Sequence, residues 1–248
     1  MAALHLDRLT WLDIKEEIKN GRNTVVVPFG STEQHGRHMP LGTDAVLGDE
    51  IGWGLAERLD AFLAPTVRFG CSEHHLAFSG TISIGEETFR GIVMDVVASL
   101  SGHGFRRIVL LPTHGGNLKP LSEAMANIEP AIGVRILAFT DLMGLVGAAA
   151  ESSRSLGVDA AKSGAHSGEW ETSLMLALRP DQVKMERATV GFMGELSEIT
   201  SKVFDGIQHL DQNGVLGDPR PASIEAGKQY LEEIIEFLYQ WVEKQDKA

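Results

Sequence analysis

The chain has 248 residues, 43% of them hydrophobic and 23% charged, a size and composition that suit one large α/β domain or two small ones, burying roughly three quarters of the unfolded surface. Its formal net charge of −12 lacks the basic footprint that nucleic acid or an anionic membrane needs, so a small neutral or cationic ligand fits better. A single cysteine, Cys71, cannot pair within the chain. Charges interrupt the N-terminal apolar stretch, and no apolar run reaches the roughly 18 residues of a membrane span, so a cytoplasmic protein is expected.

Thr10 with Asp13 three positions on is a capping signature, Ile14 and Ile18 lie one turn apart, and Gly21 stops this opening helix. Thr24–Phe29 reads as a strand that runs into a glycine-rich segment carrying Glu33, His35, His38 and Asp44. A strand thus delivers metal-type ligands to its carboxyl end, where open α/β sheets keep their sites. Gly30, Gly36, Pro40 and Gly42 let that loop fold back on itself. Asp44–Leu59 has helical spacing, with Asp44 at the amino end, where free N–H groups favour a charged carboxylate.

Ala61–Val67 reads as a second strand, followed by the polar loop Gly70–Gly85 with Glu73, His74, His75 and Ser79, compatible with an ordinary surface loop or with substrate contact. Glu87–Gly102 is an amphipathic helix, and Arg107–Pro112 a buried parallel-type strand. That strand ends in THGGN, Thr113–Asn117. Such a turn can serve chain geometry or phosphate. We read His114 as a metal ligand, because the first loop is short of nitrogen donors and neither G-x-G-x-x-G nor a Walker lysine occurs.

Val134–Phe139 is a further buried strand and Asp141–Leu156 a helix, with small residues up to Ala165 that read as a mobile cover. The stretch His166–Ser173, HSGEWETS, opens a helix running to Pro180. Within it, Glu169 is expected to share a helical face with His166 while Glu171 points elsewhere. The pattern is mixed from Asp181 to Gly217. Ser223–Lys244 closes the chain as a long amphipathic helix whose apolar stripe serves core or a subunit interface. No linker divides the sequence, so one domain over 1–248 is expected.

Taken together, Glu33, His35, Asp44, His114 and Glu169 offer more anions than one cleft tolerates unpaired. A pair of divalent cations answers this, with one carboxylate able to bridge; mixed nitrogen and oxygen donors without thiolate point to Zn, Mn or Fe. A bridging water acidified toward about pH 7 supplies hydroxide to attack a carbonyl, so hydrolysis is the natural outcome, with His166 or Glu171 as proton donor to a departing nitrogen. No G-x-S-x-G serine motif competes. Two other classes stay open: a non-catalytic small-molecule or metal-binding module on the same scaffold, and a nucleotide-binding domain using THGGN for phosphate.

The segments VPFGSTEQHGRHMPLGTD, FSGTISIG, LPTHGGN and HSGEWETSLML, with GVLGDPRPAS near the end, resemble the creatininase (creatinine amidohydrolase) family. The resemblance implies a three-layer α/β/α sandwich with a mostly parallel sheet, a dinuclear metal centre, a small-molecule amide substrate and a homohexamer. It implies Glu33 as ligand of one metal, His35 of the other, Asp44 as the bridge, His114 as a further ligand, His166 as the catalytic histidine and Glu171 as a supporting acid. Ser79 falls in the substrate loop, and Trp170 and Asn117, inside the motifs, join it as expected substrate contacts. Creatinine-hydrolysing members carry a glutamate two residues after the metal-binding histidine, where this chain has Gly116; Glu169 is expected to replace it. Members of the HGGN type resemble deformylases of formamidopyrimidine nucleotides and a peptidase that trims a cofactor-precursor peptide. Hydrolysis of an amide C–N bond, in a cyclic amide such as creatinine or a formamide, is the shared expectation.

Overall fold

The computed structural model describes residues 3–128, 133–194 and 196–247. In chain order, β1 (Leu4–His5) precedes α1 (Trp11–Lys19), β2 (Thr24–Phe29), α2 (Thr43–Arg58), β3 (Phe62–Leu63), α3 (Glu86–His103), β4 (Arg107–Pro112) and α4 (Leu118–Asn127). Then follow β5 (Arg135–Ala138), α5 (Leu142–Ser155), α6 (Ala160–Ser163), α7 (Glu169–Leu178), α8 (Leu196–Lys202) and α9 (Ile224–Asp246). The strands form one sheet in the order β1-β3-β2-β4-β5, parallel at each pairing.

Strand alternation divides the apolar residues between two layers of helices. Val25, Val27 and Phe29 of β2, with Ile108 and Leu110 of β4, pack against Phe89, Val93 and Val97 of α3 and Leu121 of α4. Val26, Val109 and Leu111 face the other way, toward Leu47, Ile51 and Leu55 of α2, Leu174 of α7 and Ile234, Ile235 and Leu238 of α9. The result is the expected α/β/α sandwich. From β2 the chain crosses to β3 on one side, and from β4 to β5 on the other, so the carboxyl ends of β2 and β4 flank the switch point of the sheet.

One strand expectation changes, and one strand was not expected. The second strand shrinks to Phe62–Leu63, although Ala64 N–H still donates to Val26 O (2.9 Å) and Val67 N–H to Pro28 O (3.0 Å). Pro65 between them has no N–H to give, and the ladder breaks there. β1 is two residues long, too short to leave a periodic signature. The small-residue stretch before Ala165 is helical. Asp141 caps α5 by accepting from Gly144 N–H (2.8 Å), Asp159 caps α6 through Ala161 N–H (2.8 Å), and a hydrogen bond between Ser153 Oγ and Ser163 Oγ (2.9 Å) ties the two together. Among the described residues, no helix is long and apolar enough to cross a membrane.

Candidate metal centre

β2 and β4 stay in register from Thr24 opposite Arg107 to Phe29 opposite Pro112, so the loops that follow leave the sheet side by side. The first loop turns back where Glu33 N–H donates to Leu41 O (2.9 Å), and it settles on the start of α2 at Gly30, where a Cβ would come within 2.9 Å of Ala45 N. Gly36 has a φ of +66°, the left-handed turn that aims His35 inward. Asp44 lies in the first turn of α2, as its position in the sequence predicts.

Three imidazoles are oriented by the same device. His35 Nδ1–H donates to Glu33 O (3.1 Å), His114 Nε2–H to Cys71 O (3.1 Å) and His166 Nε2–H to Gln34 O (2.9 Å). In each ring the other nitrogen keeps its lone pair and faces the acids. His35 Nε2 is 3.2 Å from Asp44 Oδ1, and His114 Nδ1 is 3.1 Å from Glu33 Oε2 and 3.5 Å from Asp44 Oδ2. His166 Nδ1 stands 3.8 Å from Glu33 Oε1. A lone pair facing a carboxylate repels it unless a proton or a cation lies between. His35 Nε2 and Asp44 Oδ2 are both buried without a hydrogen-bond partner.

Protons can fill that role. Burial works against a charged His35, but the facing Asp44 carboxylate outweighs it and pushes the ring up to about 10. Burial opposes a charged His114 too, and Glu33 overcomes it, raising the ring to about 9. Burial lifts the Asp44 carboxyl above its ordinary range, against the pull of His35. For Glu33 burial acts the same way, yet the facing His114 and His75 hold it well below the carboxylate range. His166 goes the other way: burial, with His35 and His75 nearby, depresses it well below its usual value and keeps it neutral. A divalent ion does the same neutralising work as these protons, and the donor set fits one. Among the described residues, ligand-type atoms gather within 4.8 Å in three overlapping groups: Glu33, His35 and Asp44; Glu33, His75 and His166; His35, His166 and Glu171.

Of the expected ligands, Glu33, His35, Asp44 and His114 converge. Glu169 does not. Helix α7 begins at Glu169 and Ser167 has a φ of +56°, so His166 lies outside the helix, bridged to Leu216, and the supposed shared face does not exist. The Glu169 carboxylate instead accepts from Ser153 Oγ (3.0 Å), Ser173 Oγ (2.8 Å) and Tyr230 OH (3.0 Å), a buried knot that joins α5, α7 and α9. Glu171 is the acid that turns inward. It accepts from Ser167 N–H, and burial, partly offset by His35, raises its carboxyl to about 7. At Gly116 an added Cβ would lie 2.1 Å from Cys71 O and 2.5 Å from His114 Nε2, so this loop has no room for a glutamate at that position.

The expected substrate contacts also separate. Asn117 is fully buried; its Nδ2 donates to Phe29 O (3.1 Å) and Gly30 O (3.0 Å), and its Oδ1 accepts from Cys71 N–H (3.0 Å). It stitches three loops together and has nothing left for a substrate. Ser79 is exposed and outside the lining of the two cavities at the cluster, whereas Trp170 lines one of them beside His166 and Glu171. His75 was hidden in a run of similar residues. Its Nδ1 accepts from Gln34 Nε2 (2.9 Å), which turns Nε2–H toward Glu33 Oε1 at 3.3 Å.

The family model for creatinine amidohydrolase matches residues 7–242. A mycofactocin precursor peptide peptidase of Mycobacterium ulcerans is 30% identical over 226 residues, 86% of this chain and 82% of its own length. The creatinine amidohydrolase of Pseudomonas putida is 30% identical over 200 residues, 75% of each chain. The solved structure "Creatininase Mn" superposes with a TM-score of 0.82 at 25% identity, covering 98% of both chains. With the sandwich, the strand-end cluster and a family match over nearly the whole sequence in agreement, the chain belongs to the creatininase family.

Proposed function

We propose that the protein is a metal-dependent hydrolase of an amide C–N bond, acting on a cyclic amide, a formamide or a peptide-like amide. The observation that carries this reading is that His35 Nε2 and Asp44 Oδ2 are buried without a hydrogen-bond partner at the centre of a cluster of acids and imidazoles. In the reading, Glu33, Asp44 and His114 would hold one divalent ion and His35, Asp44 and Glu171 a second. When bound, such ions polarise a carbonyl and acidify water.

The chain's own groups supply the rest. Hydrolysis breaks the amide C–N bond, forms a C–O bond from water and leaves a carboxylic acid and an amine. His166 moves the proton. Its Nε2–H is committed to Gln34 O, so Nδ1 is the working nitrogen, neutral because burial depresses the ring. Nδ1 takes a proton from the attacking water and returns it to the departing nitrogen. Gln34 holds two rings in their tautomers at once, His166 through its backbone oxygen and His75 through its side-chain amide. His75 in turn offers Nε2–H to Glu33, which keeps that carboxylate charged and fixed.

The test is turnover of an amide panel by protein stripped with a chelator and reloaded with Mn or Zn. Activity that returns with metal and is lost in folded His166→Ala is expected. Hydrolysis that persists in chelated protein would remove the reading.

A further inference from the structure

Two cavities meet at the cluster. One, of about 120 Å³, runs inward from His114, His166 and Glu171 between α5, α9 and the sheet, ending on Leu111, Phe139, Leu145, Ala149, Ile234 and Leu238. The other, of about 100 Å³, runs from Glu33 and His114 past His74, Val203 and Phe204. His114, Gly115, Val146, Ala165 and His166 line both. A carbonyl held at the cluster therefore has room on two sides. That suits an amide with a substituent on each side of its C–N bond, and a small closed ring would leave one side empty.

The inward cavity asks for an apolar occupant. Of its hydroxyl-bearing wall residues, Thr113 donates to Asp44 O (2.7 Å) and Ser163 Oγ is hydrogen-bonded to Ser153 Oγ (2.9 Å), so both are already engaged. Trp170 adds an aromatic wall. The position of α5, which carries Leu145, Val146 and Ala149, is anchored by the bond from Ser153 to Glu169, which gives that buried knot a use. Size narrows the choice. A cavity of roughly 150 Å³ takes up benzene, so 120 Å³ is of the size to suit a branched aliphatic group.

We propose that the substrate is an open-chain amide with a branched aliphatic group on one side of the scissile bond, seated between α5, α9 and the sheet. This rests on the amide-hydrolase reading above.

The experiment gives metal-reloaded protein four probes: N-methylacetamide, N-methylisovaleramide, N-isopentylacetamide and creatinine. Hydrolysis and calorimetric binding are both followed. One of the two branched amides is expected to exceed the unbranched parent in kcat/KM by at least about tenfold, the scale of a filled apolar pocket. Ala149→Phe, whose ring fills the cavity, brings that ratio close to one; if circular dichroism shows that this variant does not fold, Val146→Ala enlarges the same space and moves the optimum to a larger group. Equal rates on parent and branched amides, or a preference for creatinine, overturn the inference and leave the hydrolase reading standing. If nothing is turned over, binding decides. Tighter binding of a branched amide by at least about tenfold upholds the inference, while equal binding overturns it; the hydrolase reading keeps its own test.

Discussion

Glu169 and Glu171 are two residues apart and do opposite work. Glu171 faces His35 and His166, whereas Glu169 accepts hydroxyl hydrogens from three helices and approaches no imidazole of the cluster. Replacing Glu169 by Gln leaves one acceptor oxygen where two were used. Denaturant unfolding is expected to show a loss of about 1–3 kcal/mol, the scale of a disturbed buried hydrogen-bonded charge, with unchanged metal content. A drop in bound metal without a drop in stability would return Glu169 to the ligands. The sequence could not separate these acids, because their roles depend on where α7 starts, and one residue with positive φ, Ser167, decides that. Glu33, His35 and His114 were legible because each lies in a loop leaving a strand end, and Asp44 because it opens the helix that follows the first of those loops, where an open sheet gathers donors. His75 was not. Glu73, His74 and His75 are all ligand types, and the 3-10 turn that they form buries only His75. Gln34 escaped notice because an amide holding ring tautomers carries no sequence signature of its own.

Helices α7 and α9 make the tightest element contact near the site, and glycine permits it. A Cβ on Gly227 would stand 1.8 Å from Ser173 O and 3.0 Å from the Ala177 methyl. Gly227→Ala therefore pushes α9 off α7, at an expected cost of about 1–3 kcal/mol, the range for overpacking. Because Tyr230, Ile234 and Leu238 move with α9, the variant also loosens the Glu169 knot and the inward cavity. Thermal and denaturant unfolding measure the first effect; an unchanged midpoint would show that α9 is not locked in this way. The long helices and the central strands were readable from periodicity, since α2, α3 and α9 each bury one face and β2 and β4 are apolar and buried after their first residues, Thr24 and Arg107. The short elements were not. Pro65 cuts β3 by withholding a donor, and α6, four residues long, is set by the Asp159 cap more than by any apolar stripe.

At the scale of the whole molecule, the cluster couples metal, protons and stability. With no cation bound, His35 and His114 are raised to about 10 and about 9 from 6.5. The stability that these two protonated rings contribute is fully present below pH 6.5 and is lost as pH rises through 9 to 10. Chelated protein is therefore expected to weaken across that window, followed by denaturant midpoint, while metal-loaded protein holds steady because the ions replace the protons. The same exchange makes metal affinity rise with pH over the window, since binding releases protons from both rings. Parallel pH curves for chelated and loaded protein would contradict the coupling. The most direct test of the account is metal stoichiometry by elemental analysis of dialysed wild type, Asp44→Asn and His114→Ala, each confirmed folded. The account predicts two divalent ions per wild-type chain, loss of both in Asp44→Asn because that carboxylate is shared, and loss of one in His114→Ala. Wild-type occupancy in both variants would show that the acids and imidazoles gathered at the ends of β2 and β4 are not a metal centre.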